Sequence, residues 1–185
     1  MGEQHKKHSR REHLNDFHLN VAGEYVYDGA LYACQNDDAK QRRSKRAVWG
    51  MAAILTVAVA AGGCIPAPGM QNCFYVLLPY LGEFLGAASV IWALAKLGTD
   101  WSTVREYNYK KSVAVLPVRT AVTAVFSLLG IVCELIFFFV NDHAGQTFFA
   151  LLYVLLKLTA LLSALVLRAE IMQAEWDKLP KKDNS

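Results

Sequence analysis

The sequence predicts an all-α polytopic membrane protein, because four long apolar stretches follow one another after residue 46. Each is close to or above the roughly 20 residues that an α-helix needs to cross the hydrocarbon core of a bilayer. Four such runs in succession are unusual in a soluble helical core. We place the four transmembrane helices at residues 47–65, 74–97, 113–140 and 147–168.

The distribution of basic residues predicts the orientation of these helices. Nine of the 19 lysines and arginines lie before residue 47, four lie within 96–111, and four lie from residue 168 onward. The short loops 66–73 and 141–146 contain none. Because positively charged loops stay on the cytoplasmic side, we expect both termini in the cytoplasm and the two short loops outside. The protein is therefore predicted to lie in the plasma membrane.

This orientation divides the chain into three parts. Residues 1–46 form a basic cytoplasmic tail, residues 47–168 the four-helix transmembrane bundle, and residues 169–185 a cytoplasmic helical extension and tail. Four basic residues directly precede the first apolar stretch, where we expect a topological anchor that also binds anionic lipid headgroups. They are Arg42, Arg43, Lys45 and Arg46.

The cytoplasmic tail contains local structural signals after a polar, disordered arm at 1–13. A short amphipathic helix is predicted by Leu14, Phe17 and Val21, which recur at helical spacing. Within 24–33, the Asp-Gly dipeptide between two tyrosine-containing runs is a strong hairpin signal, since both turn residues need positive φ. An interfacial helix through this segment is the alternative. In the hairpin, Tyr25 would pair with Tyr32 and Val26 with Leu31.

Two further segments complete a small predicted cytoplasmic cap. Thr99 or Asp100 is placed to cap a helix that begins near Trp101, either a short interfacial helix or an early start of the third transmembrane helix. The last transmembrane helix should continue beyond residue 168 until Pro180 stops it.

Three of the apolar stretches carry a charge deep inside, namely Glu83, Glu134 and Lys157. Charged residues within a membrane are costly and turn toward the interior of the bundle. Helical spacing places further polar residues on the same faces as these charges. They are Arg119, Thr123 and Ser127 in the third stretch and Tyr153 in the fourth. We predict one inward-facing cluster, in which Lys157 pairs with Glu83, with Glu134 or with both.

Small residues and cysteines give two weaker predictions. Gly82 and Gly86 stand four residues apart, a spacing that favours close helix contact either within the bundle or between copies of the chain. Cys64 and Cys73 flank a proline-containing outer loop that we expect to be turned rather than helical. A disulfide between them is the prediction, with two free thiols as the alternative.

The functional prediction is a non-enzymatic scaffold, accessory or regulatory subunit of a membrane complex. No catalytic motif and no metal-binding or cofactor-binding signature is present in the sequence. The expected partners are the lipid bilayer, anionic headgroups, and a protein partner or a second copy of the chain, but not nucleic acid. The alternative is an oligomeric small-solute or ion transporter or channel that uses the glutamate and lysine cluster.

Overall fold

The computed structural model describes residues 17–19, 25–27, 29–141 and 147–179, of which side chains are described except for 17–19 and 26. The model is mostly helical, at 77%. The predicted disordered arm at 1–13 and the ends Leu14 and Val21 of the predicted amphipathic helix lie outside the described residues.

Four helices are long and apolar enough to cross a membrane, which confirms the central prediction. Each has 24 to 27 residues and therefore a length of about 36–40 Å, which exceeds the hydrocarbon thickness. Two short helices occur in the connections. In chain order the helices are α1 Asp38–Cys64, α2 Pro68–Asn72, α3 Phe74–Leu97, α4 Glu106–Lys111, α5 Leu116–Val140 and α6 Thr147–Gln173.

The helix bounds differ from the predicted spans mainly at the charged ends. Helix α1 begins at Asp38 rather than at residue 47, so the basic residues of the predicted anchor lie within its first turns and do not precede the helix. Helix α5 begins at Leu116, where Pro117 occupies an early position that lacks an intrahelical N–H partner anyway. Hydropathy locates the part of a helix that lies in lipid, whereas backbone hydrogen bonding continues into polar sequence.

The long helices form a bundle in which α1 packs along α6, α6 along α5, and α5 along α3, while α1 and α3 touch less extensively. Small residues are frequent among the buried positions of α1 and α6. They include Ala52 and Ala58 of α1 and Ala160 and Ala164 of α6, which belong to one buried apolar cluster. Small side chains let helix backbones approach closely, and this contact is a main source of helix association in lipid.

The two glycines of α3 pack within the bundle, against α5. A Cβ atom at Gly86 would lie 2.6 Å from the hydroxyl oxygen of Thr123, and one at Gly82 would lie 2.5 Å from the ring of Phe126. Both distances are too short for real Cβ contacts. Within this chain, the four-residue spacing of the glycines therefore serves the α3–α5 contact.

A three-stranded antiparallel sheet lies at one end of the bundle, which we call the sheet-bearing end. Its central strand precedes α1, one edge strand precedes α4, and the other follows α6. The strands are β3 Leu31–Cys34 in the centre, with β4 Val104–Arg105 and β5 Trp176–Lys178 at the edges. In register, Tyr32 is opposite Val104 on one side and Lys178 on the other.

The predicted Asp-Gly hairpin within 24–33 is wrong. Strand β2 (Tyr25–Tyr27) pairs with β1 (Phe17–Leu19), and not with β3. Gly29 does not have the positive φ that the predicted turn needs, because Gly98 is the positive-φ glycine among the described residues. Strand β3 instead finds partners that are distant in the sequence. Phe17 lies in a strand, and the predicted amphipathic helix is wrong at this residue.

The two other predicted parts of the cap are also corrected. No helix begins near Trp101: the Asp100 carboxylate accepts hydrogen bonds from the backbone N–H of Ser102 at 3.0 Å and from its hydroxyl at 2.6 Å, which forms a turn. Helix α6 ends at Gln173, and the chain continues as β5 rather than as helix up to Pro180. Pairing with β3 outweighs the helical pattern of this segment.

The opposite end of the bundle also differs from the prediction. The loop between α1 and α3 contains α2, which begins with Pro68 and packs against α3 and α5. Cys64 and Cys73 are both free, so the predicted disulfide is wrong. Helix α2 forms part of the chain between Cys64 and Cys73, so its packing determines where the two cysteines lie.

Candidate functional site

The interior of the bundle contains an ion pair between Glu83 of α3 and Lys157 of α6. The Lys157 Nζ atom contacts Glu83 Oε2, and the two residues are 1% and 0% exposed, respectively. Glu83 lies nine residues from the start of α3 and Lys157 ten residues from the start of α6, or about 14–15 Å along each helix axis. The predicted pairing of Lys157 with Glu83 is confirmed.

The second carboxylate oxygen of Glu83 is bound by a serine on the third helix of the site. The Ser127 hydroxyl donates to Glu83 Oε1 at 2.6 Å. Its distance to the Thr123 carbonyl oxygen, within α5, is longer at 3.1 Å. Both oxygens of Glu83 therefore have donors, one charged and one neutral, which come from two different helices. This arrangement links α3, α5 and α6 at one depth.

Two tyrosine rings flank the lysine. The Lys157 Nζ atom lies 4.5 Å from the ring centroid of Tyr80 and 5.0 Å from that of Tyr153, within the range of cation–π attraction. The Tyr153 side chain is fully buried, and its hydroxyl has no hydrogen-bond partner among the described residues. The lysine stem packs beside Gly130, where a Cβ would lie at an ordinary contact distance of 3.6 Å from Lys157 Cε.

Glu134 makes a different contact, toward the end of the bundle opposite the sheet. Its Oε1 atom accepts a hydrogen bond of 3.3 Å from the backbone N–H of Gly69, in the first turn of α2. A Cβ at Gly69 would collide with the Glu134 carboxylate, so the close approach requires glycine. A carboxylate beside the first turn of a helix compensates free N–H groups there. Glu134 thus holds α2 against α5.

Arg119 and Thr123 also have positions separate from the ion pair. The Arg119 Nη1 atom donates to the carbonyl oxygen of Ser89 at 2.6 Å, which joins α5 to α3. The Thr123 hydroxyl donates to the Arg119 carbonyl oxygen at 2.9 Å and faces Gly86. Within the predicted cluster, the described contacts are the ion pair with Ser127 and Tyr153 beside it, the Glu134–Gly69 contact, and the Arg119–Ser89 contact.

The predicted basic anchor lies on the first turns of α1. Arg42, Arg43 and Arg46 are exposed, whereas Lys45 is half-buried, with its Nζ atom 5.7 Å from the ring centroid of Trp101. A hydrogen bond also joins this region to α6: the Ser44 hydroxyl donates to Glu170 Oε2 at 2.8 Å.

Sequence reasoning missed Tyr80 and Gly69 as members of these groups, whereas Gly130 was expected on the polar face of the third apolar stretch. Tyr80 stands three residues before Glu83 and so shares its helix face, a spacing that predicts the contact. Gly130 lies on the polar face of α5 for the same reason. No local pattern connects Gly69 to Glu134, because they belong to elements that meet only in the folded chain.

Within the described ranges, no group of three histidine, cysteine, aspartate or glutamate residues is arranged to hold a metal ion. The chain matches no protein-family model, no curated protein and no solved structure in the comparisons made. A neutralised, solvent-excluded ion pair with both carboxylate oxygens bound is suited to fixing helix positions.

Proposed function

We propose that this protein is a non-enzymatic integral membrane protein that acts as a scaffold, accessory or regulatory subunit of a membrane complex. The proposal is supported above all by the Glu83–Lys157 ion pair, which is shielded from solvent. Both residues are almost completely buried, and both oxygens of Glu83 are bound. A pair of this kind fixes the register of three helices, a role that is well suited to a structural subunit.

The sheet-bearing end is the proposed surface for partner proteins. The flanks of the bundle expose large apolar side chains of all four long helices, which suits them to lipid contact. The sheet-bearing end exposes charged side chains instead, including Arg42, Arg43 and Arg46 of α1 and Asp177 and Lys178 of β5. Exposed charge on an edge strand also discourages indiscriminate strand pairing.

The proposed location is the plasma membrane, with both termini in the cytoplasm. The supporting evidence is the concentration of lysine and arginine at the sheet-bearing end and in the N-terminal tail. In this orientation the basic first turns of α1 face anionic headgroups, and the sheet meets cytoplasmic partners.

Purification from the native membrane in mild detergent tests the scaffold proposal. We expect a partner protein, or a second copy of the chain, in fixed stoichiometry with the wild-type protein. The triple variant Arg42→Gln, Arg43→Gln, Arg46→Gln should lose the protein partner or the second copy of the chain. The control is a triple variant of lipid-facing residues, Leu81→Ala, Leu85→Ala, Leu128→Ala, which should keep the partner or the second copy. Recovery of the wild-type protein as a monomer without a partner contradicts the proposal.

Transport of an ion or small solute is the second candidate, favoured by two observations in and near the site. The Tyr153 hydroxyl is buried beside Lys157 without a described hydrogen-bond partner, and Pro79 interrupts the backbone hydrogen bonding of α3 one turn before Glu83. Uptake into proteoliposomes by the wild-type protein, abolished by the folded double variant Glu83→Gln, Lys157→Met, would establish transport in place of scaffolding. Equal flux in empty liposomes and in proteoliposomes would eliminate it.

A further inference from the structure

An apolar groove of about 440 Å³ runs along the seam between α5 and α6 near the sheet-bearing end. One wall is apolar and comes from α5, and the other contributes a single arginine from α6. The lining residues are Pro117, Val118, Ala121, Val122, Val125 and Phe126 of α5 and Arg168 of α6.

Arg168 has no partner of its own in the part of the chain that the structure describes. It is half-buried, and no hydrogen bond or ion pair engages it among the described residues. The residues one turn away along α6 are all apolar: Ala164, Leu165, Ile171 and Met172. The other membrane cations differ, since Arg119 binds the Ser89 carbonyl oxygen and Lys157 pairs with Glu83.

The charge and the apolar wall of the groove both lie near the sheet-bearing end. Arg168 lies five residues before the end of α6, or about 8 Å from the sheet-bearing end of that helix. The valines of α5 that line the groove extend from Val118, in the first turn of that helix, to Val125, about 14 Å from its start. Counted from the helix ends, the apolar wall thus begins nearer the membrane surface than Arg168 and also reaches deeper.

We propose that this groove binds one phospholipid with an anionic headgroup. The phosphate accepts hydrogen bonds from the Arg168 guanidinium, whose planar donors suit phosphate oxygens. One acyl chain covers the exposed faces of Val118 and Val125, which are 65% and 55% exposed in the isolated chain. Arg168 favours an anionic over a zwitterionic headgroup, because no described carboxylate neutralises its charge.

A second cavity of about 250 Å³ adjoins the groove at Pro117, which lines both. Its wall includes Tyr109 and Trp176 of the sheet-bearing end. Tyrosine and tryptophan are typical of the headgroup level of a membrane. This cavity gives the glycerol and headgroup a place beside the groove, at Pro117.

Native mass spectrometry of the purified protein, with phosphatidylglycerol or phosphatidylcholine added in detergent, tests the proposal. We expect one tightly retained phosphatidylglycerol on the wild-type chain and roughly fivefold weaker retention in Arg168→Gln, the effect of about one basic residue near the headgroups. Phosphatidylcholine should be retained weakly by both. The control Lys96→Gln also removes one positive charge at the sheet-bearing end, but from α3, and it should bind phosphatidylglycerol as the wild type does.

A second variant tests the apolar part of the site without changing its charge. Ala121→Phe fills the groove and should reduce phosphatidylglycerol retention, whereas Ala88→Phe on the exposed face of α3 should not. Equal retention in wild type, Arg168→Gln and Ala121→Phe overturns the proposal, as does an equal loss in Lys96→Gln. Displacement of the lipid by millimolar inorganic phosphate also overturns the proposal, because the occupant would then be free phosphate. A lipid-free dimer of the wild type overturns it too, because the occupant would then be a second copy of the chain.

Discussion

The interior of the bundle and the sheet-bearing end are held together by different forces. In the interior, a few polar contacts join the helices, chiefly Lys157 with Glu83 and Ser127 with Glu83. At the sheet-bearing end, aromatic rings pack on each other, as in the Tyr32–Tyr109 stack with ring centroids 4.2 Å apart. The first region has a small number of strong, directional contacts, and the second many contacts that are individually weak.

The surrounding solvent explains this difference. In lipid, apolar side chains gain little by leaving the solvent, so polar contacts and close packing have to specify how helices meet. At the water-facing end the hydrophobic effect operates, and aromatic residues such as Trp101, which is completely buried, can supply stability. Backbone bonds add order there, for example from Cys34 N–H to the Trp101 carbonyl oxygen at 3.0 Å.

The largest expected effect is on the ion pair. Lys157→Met leaves Glu83 charged and buried without its counterion, which we expect to destabilise the bundle by about 3–5 kcal/mol. The double variant Lys157→Met, Glu83→Gln removes both charges and should recover much of that loss. Reversible unfolding in mixed micelles measures the three stabilities. Equal damage in the single and double variants would show that the pair does not specify the bundle.

We expect Trp101→Ala to lower stability by a similar amount, but only at the sheet-bearing end. Removing this buried ring should cost about 3 kcal/mol locally. Hydrogen exchange should accelerate in β3 and β5 while the amides around Glu83 keep their protection. Trp92→Ala, on an exposed face of α3, is the control and should change neither region. Loss of protection throughout the bundle would mean that the two regions unfold as one.

A smaller effect in the interior is expected for Ser127→Ala. The substitution leaves Glu83 Oε1 without its neutral donor, and hydrogen bonds to charged groups contribute about 2 kcal/mol. Ser163→Ala is a matched control, because the Ser163 hydroxyl donates to the Thr159 carbonyl oxygen within its own helix at 2.7 Å. Micelle unfolding should separate the two variants. If both shift stability equally, the Ser127–Glu83 bond contributes nothing specific.

The smallest effect concerns pH at the sheet-bearing end. The hydroxyl and backbone N–H of Ser102 lower the pKa of the Asp100 carboxyl below its ordinary value. A lowered folded-state pKa stabilises the protein above the ordinary value of about 3.9, and this contribution disappears as the pH falls through the folded pKa. The melting difference between wild type and Asp100→Asn should therefore be small at neutral pH and vanish in acid. A difference that persists in acid would require another cause.

The hydrophobic and polar patterns predicted the bundle but not its ends. Residues 74–97 were placed correctly as a helix. Faces and depths predicted that Lys157 pairs with Glu83, with Glu134 or with both, and the structure shows the pair with Glu83. The same reasoning failed for β3, whose local turn signal favoured a hairpin with the preceding run. Strand pairing depends on which segments meet in space, and a hairpin signal describes only neighbours in the chain.

The sequence by itself determined that the chain has four membrane-length helices and that charges inside them face each other. These properties follow from length, hydropathy and helical period, all of which are local. Only the tertiary structure decided that Glu134 contacts Gly69, that Gly86 packs against Thr123, and that β3 pairs with β4 and β5. Each of these contacts joins residues far apart in the chain, and their geometry exists only after the helices have packed.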